Sequence, residues 1–334
     1  MLTWMVWFPL KLLVWTLSVV GVAALVLTAM IATPLRNPPE LHSLSAARKN
    51  VDFSTLPTVE RFQARDGTLL GFRHYSLSGP ASGRAAIVIH GSSGSSGTSI
   101  HALSQALAAR GIETWAIDIR GHGTSGQRGD IGYVGQLEDD LDDFVAVVRK
   151  NAPSLPITLI GHSAGGGFAL RVAGSPLGTR FARTILLAPY LGYDAPTNRP
   201  DSGGWASADI PRILALLALR KLGIDCCEAL PTLAFAVPPN SASLLVPAYS
   251  DRLMRNFATR GYRTDLAAVT RPLTIISGAA DELMLADKYV EAVRGIAPSV
   301  DVKLIDGVDH IGIVSDPHAV SAVADEVVKG RVGS

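Results

Sequence analysis

The chain has 334 residues, 30 of them basic and 29 acidic, with a formal net charge of +1 and two cysteines. That length allows one large α/β domain plus an extra segment. Cancelling charge with no basic block argues against a nucleic-acid partner, and two adjacent cysteines, Cys226 and Cys227, give no sign of a disulfide framework, a zinc site or a redox motif.

The N-terminus is apolar. Leu12 to Thr33 is a 22-residue stretch without a charge, rich in Leu, Val and Ala. At about 1.5 Å per helical residue it matches the roughly 30 Å hydrocarbon core of a bilayer. Trp4, Trp7 and Trp15 lie toward one end, where indoles favour the membrane interface. Pro34, Pro38 and Pro39 stop the helix. A cleaved signal peptide would have a shorter apolar core and small residues at its cleavage site. Here Ala32 is preceded two positions earlier by Met30, and Ala29 by Leu27, so residues 1–33 read as an uncleaved, single-pass anchor in a lipid bilayer. Lys11 lies on one side of it, and Arg36, Arg48 and Lys49 on the other. The positive-inside rule then points to a cytoplasmic catalytic domain; an exported domain is the alternative.

Residues 34–57 read as a polar linker. Asp66-Gly67 is a turn between two short strands, 59–64 and 68–75. The apolar run Ala85–Ile89 leads into His90-Gly91, and the strand Thr114–Asp118 into Arg120-Gly121-His122-Gly123. Helical spacing covers 100–110 and 136–150, the second with Leu137, Leu141, Phe144 and Val147 on one face. Further strands are expected at 157–162, 184–188, 273–277 and 302–306, and helices at 285–296 and 318–329. Apolar strands alternating with helices predict a mostly parallel sheet covered on both faces, formed by residues 58–192 and 269–331. Residues 193–268 break the alternation with Pro196, Gly203-Gly204-Trp205, Pro238-Pro239 and an apolar helical stretch, Ile210 to Leu222. They read as a lid inserted between the sixth and seventh core strands.

Gly161-His162-Ser163-Ala164-Gly165 follows the apolar run Ile157–Ile160 and precedes a helix start, and no other segment has the pattern. A G-x-S-x-G serine between strand and helix is a nucleophile elbow. The turn is so tight that the flanking positions must lack Cβ atoms. It lifts the hydroxyl out of the sheet and points a helix N-terminus at a developing oxyanion.

A serine needs a base, and the base a carboxylate. In this arrangement the chain order is Ser, acid, His. Of eight histidines, His42 and His74 are early, and His90, His101, His122 and His162 also precede Ser163. His310 sits in a loop directly after the strand Val302–Ile305 and is the expected base; His318 looks like a helix start. Asp281, in the loop after Leu273–Ile276, is the expected acid. Glu282 is the runner-up, expected to face outward or to cap the next helix. Asp306 and Asp309 fit turn chemistry. An oxyanion hole needs two backbone N–H groups, expected from Ala164 and from Ser92 in the loop His90–Gly94. His90 is expected to hold that loop, and His162 to pack beside the nucleophile.

These residues resemble the α/β-hydrolase superfamily, and most closely its branch of monoacylglycerol lipases, lysophospholipases and serine aminopeptidase-like hydrolases. The resemblance covers about residues 59–330. Its carriers are His90-Gly91, Asp118 to Gly129, Gly161–Gly165, Gly278-Ala279-Ala280-Asp281 and Asp309-His310. Lipases of the branch often continue the His-Gly loop with an acidic residue and a histidine, whereas here it runs Ser92-Ser93-Gly94-Ser95. The expected activity is hydrolysis of carboxylic esters through an acyl-enzyme on Ser163, with a small-molecule ester or lipid as substrate and no metal or organic cofactor. Amide hydrolysis, acyl transfer and a non-catalytic binding role are the alternatives.

Overall fold

A computed structural model describes residues 2–41, 52–237 and 245–329. Part of the expected linker (42–51), including His42, and the Pro238-Pro239 pair lie outside the described residues.

Among the described residues, eight strands form one sheet in the order β1-β2-β4-β3-β5-β6-β10-β11. They are β1 (Glu60–Gln63), β2 (Leu69–Tyr75), β3 (Arg84–Ile89), β4 (Ile112–Ile117), β5 (Ile157–His162), β6 (Arg183–Leu187), β10 (Leu273–Gly278) and β11 (Asp301–Ile305). β2 runs antiparallel to β1 and β4; every other pairing is parallel. The period-two geometry of a strand explains the uninterrupted apolar run in β3. Ala85, Ile87 and Ile89 enter the core with Trp115, Phe144 and Phe168. Ala86 and Val88 enter the core on the other face, with Ile100, Leu103 and Leu107. Helices Gln136–Asn151 and Ala164–Ala173 cover the first face, and Ile100–Ala109 and Pro317–Lys329 the second.

The helix expected over 285–296 is a 3₁₀ turn, Ala286–Lys288, followed by a short helix, Tyr289–Val293. The helical run is shorter than expected: it stops before Gly295, which holds φ +75°, and tertiary bonds fix its start and its first turn. The Leu285 N–H donates to the Thr197 carbonyl (2.9 Å), and the buried Tyr289 hydroxyl to the Pro189 carbonyl (2.8 Å).

Between β6 and β10 the chain leaves the sheet. This insertion carries a small antiparallel sheet, β7 (Ala206–Ala208), β8 (Pro231–Phe235) and β9 (Ala248–Ser250), and the helix Ile210–Lys221. Its strands are three to five residues long, too short for alternation to show in the sequence. Asp209 caps the helix, accepting from the Arg212 N–H at 3.1 Å. The apolar stripe of that helix divides: Ala215 and Leu216 are buried, while Leu214 and Leu217 are exposed.

The N-terminal helix, Leu2–Ile31, contains Pro9 and Lys11. Its segment Trp7–Ile31 has a mean hydropathy of 2.3, and among the described residues it is the one helix long and apolar enough to cross a membrane. A helix end leaves carbonyls without intrahelical partners. Here Arg212 of the insertion meets them: its Nε donates to the Ile31 carbonyl (2.9 Å) and its Nη2 to that of Thr33. The Thr33 hydroxyl in turn donates to the Asp209 carboxylate at 2.9 Å. Arg212 and Asp209 are both buried.

Candidate active site

Ser163 sits between β5 and the helix Ala164–Ala173, with φ +54° and ψ −120°. A non-glycine residue at positive φ is strained, and such strain persists only where the surroundings impose it. The neighbouring glycines show how they do. A Cβ on Gly161 would lie 2.2 Å from the Gly165 carbonyl oxygen, and one on Gly165 would lie 2.2 Å from that of His90. Both positions admit only glycine, and through them the elbow packs directly beneath the His90 loop.

The parallel sheet then delivers the partners. The loops after β10 and β11, its last two strands, converge on the carboxyl end of β5. The Ser163 hydroxyl lies 3.0 Å from His310 Nε2, and His310 Nδ1 lies 2.8 Å from Asp281 Oδ2. All three side chains are buried. An ionised Asp281 can only accept, so His310 carries its proton on Nδ1 and offers Nε2 to the serine. The other carboxylate oxygen of Asp281 accepts from the Leu283 and Met284 N–H groups, each at 2.8 Å. Burial opposes ionisation of Asp281, but the charge of His310, its hydrogen bond and these two N–H groups outweigh it and hold the carboxyl below the usual range.

Glu282 departs from expectation. Instead of facing outward, its carboxylate accepts from the His310 backbone N–H at 3.0 Å. It is drawn inward because the same turn that presents Asp281 passes under the His310 loop. His162 packs against the His310 ring beside Ser163 and also bonds the His310 carbonyl through Nε2 (3.0 Å). Three side chains thus fix His310: one at the ring and two at the main chain. Asp309 accepts from the Gly312 N–H (2.6 Å), a turn role. Asp316 receives the His318 N–H at a helix start (2.9 Å).

The loop after β3 supplies the remaining wall. From Ser93 to Thr98 every backbone N–H has a protein acceptor. Ser93 donates to Tyr249, Gly94 to Gly91, Ser95 to Thr98, Ser96 to Asp118, and Gly97 and Thr98 to Ser95. Among the described residues, the Ser92 N–H has none, and neither has the Ala164 N–H at the start of the elbow helix. Ser92 lines the same cavity as Ser163, and Ala164 follows Ser163 in the chain. His90 holds the loop from below: its Nδ1 bonds the Gly91 carbonyl (2.8 Å) and its Nε2 accepts from the Ile119 N–H (3.2 Å). Burial lowers its pKa from the usual histidine value.

A cavity of about 20 Å³ opens onto Ser163 and His310, lined also by Ser92, Trp205, Leu283 and Ile311. It has room for about one water. Trp205, from the insertion, forms part of its wall and donates from Nε1 to the Ser92 hydroxyl at 2.8 Å. Neither Trp205 nor Glu282 carries a sequence signal of its own; Glu282 was recognisable only as the neighbour of Asp281. Such a site, with a buried serine on an imidazole, a carboxylate behind it and two free N–H groups in front, can carry out acyl transfer.

The fold and this constellation define an α/β-hydrolase. The family model described as "Serine aminopeptidase, S33" matches residues 81–317, more than half of the chain, and the protein belongs to that family. The chain is 25% identical over 301 residues to the monoglyceride lipase of Rattus norvegicus, covering 86% of this chain and 94% of that one. Its fold matches that of a soluble variant of monoglyceride lipase from Saccharomyces cerevisiae with a TM-score of 0.62 at 17% identity, covering 83% of this chain and 94% of the other. It also matches a structure described as a membrane phospholipase A with a TM-score of 0.54 at 16% identity, covering 97% of this chain and 99% of the other.

Proposed function

We propose that this protein is a membrane-anchored serine hydrolase that cleaves carboxylic esters of lipid-like substrates. One observation carries the reading: the unbroken Ser163–His310–Asp281 chain at 3.0 and 2.8 Å beside two free backbone N–H groups. Ser163 attacks the acyl carbonyl while His310 Nε2 takes its proton. Asp281 holds the ring and stabilises the imidazolium. The Ser92 and Ala164 N–H groups hold the oxyanion. His310 returns the proton to the departing alcohol, and water then resolves the acyl-enzyme.

The monoglyceride lipase relatives support a lipid ester as substrate. So does the environment of the site. We read residues 193–268 as a lid, because Trp205 of that segment lines the cavity at Ser163 and bonds the Ser92 hydroxyl. The apolar N-terminal helix anchors the protein, and the bonds from Arg212 and Asp209 to Ile31 and Thr33 tie its end to the lid helix. On that lid helix Ile210, Leu214 and Leu217 are exposed at i, i+4, i+7 spacing. Leu222 and Ile224, just past the helix end, are also exposed, and this apolar surface suits the bilayer the anchor would cross.

A fluorophosphonate probe tests the nucleophile: it should label the wild type and leave Ser163→Ala unlabelled. Labelling that persists in the variant overturns the assignment. The family description favours a second reading, amide hydrolysis. p-Nitrophenyl esters of rising chain length, run beside aminoacyl amides, separate the two. Faster turnover of the amides would replace the ester reading.

A further inference from the structure

The segment Asp118–Gly129 and the strand β9 take no part in the chemistry above, yet they meet directly behind the oxyanion loop. Ser93 is fully buried and holds φ +64°. Its backbone is bonded on every side by the insertion. The Ser93 N–H donates to the Tyr249 hydroxyl (2.7 Å), the Ser93 hydroxyl donates to the Val246 carbonyl (2.7 Å), and the Val246 N–H donates to the Ser93 carbonyl (2.9 Å). Having accepted from Ser93, the Tyr249 hydroxyl must send its own proton elsewhere. His122 Nε2 lies 2.5 Å away and accepts it. His122 Nδ1 then carries the ring proton toward the Arg120 carbonyl at 3.3 Å. Burial, with His90 beside it, lowers the His122 pKa well below the usual value, in keeping with an acceptor nitrogen.

Two further contacts lock this bracket. Asp118 accepts from the Ser96 N–H (2.7 Å) and the Thr124 N–H (2.9 Å), joining the oxyanion loop to the His122 turn. Gly129 lets the main chain of β9 come close: a Cβ there would lie 2.4 Å from the Ala248 carbonyl oxygen. The Gly129 carbonyl receives the Ser250 N–H at 2.9 Å.

We propose that Tyr249 is a positioning residue for the oxyanion site, and that His122 orients it. The pair binds the Ser93 N–H, fixes the strained turn at Ser93, and so presents the preceding N–H, that of Ser92, as the free donor. The insertion therefore builds part of the catalytic apparatus as well as covering it. The inference rests on the oxyanion role given to Ser92 above.

The test is steady-state kinetics on the full-length chain with a p-nitrophenyl ester, counting active sites by fluorophosphonate labelling. Tyr249→Phe should lower kcat about 10- to 100-fold, part of the loss seen when an oxyanion donor is removed outright. KM should stay within twofold, and affinity for a tetrahedral boronic acid should fall by the same factor as kcat. A purely structural role would lower the number of labelled sites and leave kcat per site intact. His122→Leu should reproduce the loss, and His122→Gln, which keeps an acceptor for the tyrosine, should restore most of it. A kcat per labelled site within twofold of wild type in Tyr249→Phe overturns the proposal. Should that variant fail to fold, equal kcat in His122→Leu and His122→Gln overturns it equally. Ser163→Ala keeps the two failures apart: persistent labelling there sinks the hydrolase reading, whereas lost labelling with an unaffected Tyr249→Phe sinks only the role of Tyr249.

Discussion

The sheet and the insertion supply the same site by different physical means. The sheet positions Ser163, Asp281 and His310 through the backbone: Ser163 and Asp281 follow the buried strands β5 and β10, His310 follows the edge strand β11, and the strands' register brings their ends together. The insertion works through single side chains that reach far across the chain. Tyr249 reaches Ser93, Trp205 reaches Ser92, and Arg212 reaches Ile31. The first kind of positioning is distributed over a whole core and is hard to perturb with one substitution. The second hangs on individual bonds, and one substitution can remove it.

The largest effect tests the sheet side. His310→Ala removes the proposed base and would leave Ser163 a neutral, weakly nucleophilic hydroxyl. Turnover should fall by about 10⁴- to 10⁶-fold, as in other serine triads, while the thermal unfolding midpoint moves by only a few degrees. A variant retaining a tenth of wild-type kcat would break the comparison at its root.

Arg212→Ala tests the insertion at its other end. It leaves the Asp209 carboxylate buried without its cation and returns the Ile31 and Thr33 carbonyls to orphan status. Breaking one partner of a buried pair costs about 3–5 kcal/mol, read as a lower denaturant midpoint. On the proposed reading, activity on vesicle-borne esters should fall further than activity on a soluble short-chain ester, because the helix Ile210–Lys221 loses its tie to the N-terminal helix. Equal loss on both substrates would confine Arg212 to stability alone.

Gly165→Ala sharpens the contrast at the elbow. The new methyl would meet the His90 carbonyl oxygen, a backbone atom, at 2.2 Å, so the elbow helix must shift. Overpacking of this kind costs about 1–3 kcal/mol. The shift also separates Ser163 from the His90 loop, so kcat should fall even in the fraction that folds. Gly223→Ala, where nothing lies within 4 Å of the added Cβ, serves as a control; φ +73° there leaves only local strain.

These differences also explain what the sequence disclosed. The elbow glycines, the apolar strands and the order Ser163, Asp281, His310 are local or periodic patterns, and a short-range reading captures them. Ser92 could be named because it follows the glycine of a strand-end loop. Glu282 turned inward because of a long-range approach to His310 that neighbouring residues do not encode. The helix expected over 285–296 is anchored the same way, through Thr197 and Pro189, and stops early before Gly295 at φ +75°. Tyr249 and His122 lie 127 positions apart, and nothing in either segment's periodicity points to the other. In this protein the legible part is what a strand or a turn dictates, and the illegible part is what a single buried side chain bonds across the fold.

The smallest predicted effect concerns pH and bears on that illegible part. His90 and His122 are buried and their pKa values are pushed down, His122 by burial first and then by His90. In the unfolded chain both return to about 6.5. Below that pH the unfolded state binds protons that the folded state refuses, so stability falls as the pH falls and is fully present only above it. Each group contributes at most about 1.4 kcal/mol per pH unit between its unfolded and folded pKa values. Chemical denaturation from pH 7.5 to pH 5 should therefore show a declining unfolding free energy. His122→Gln should make the decline shallower by up to that one-histidine slope while keeping the acceptor for Tyr249. An unchanged slope in His122→Gln would mean that His122 takes up its proton in the folded state, and the Tyr249 hydroxyl would then have no acceptor there.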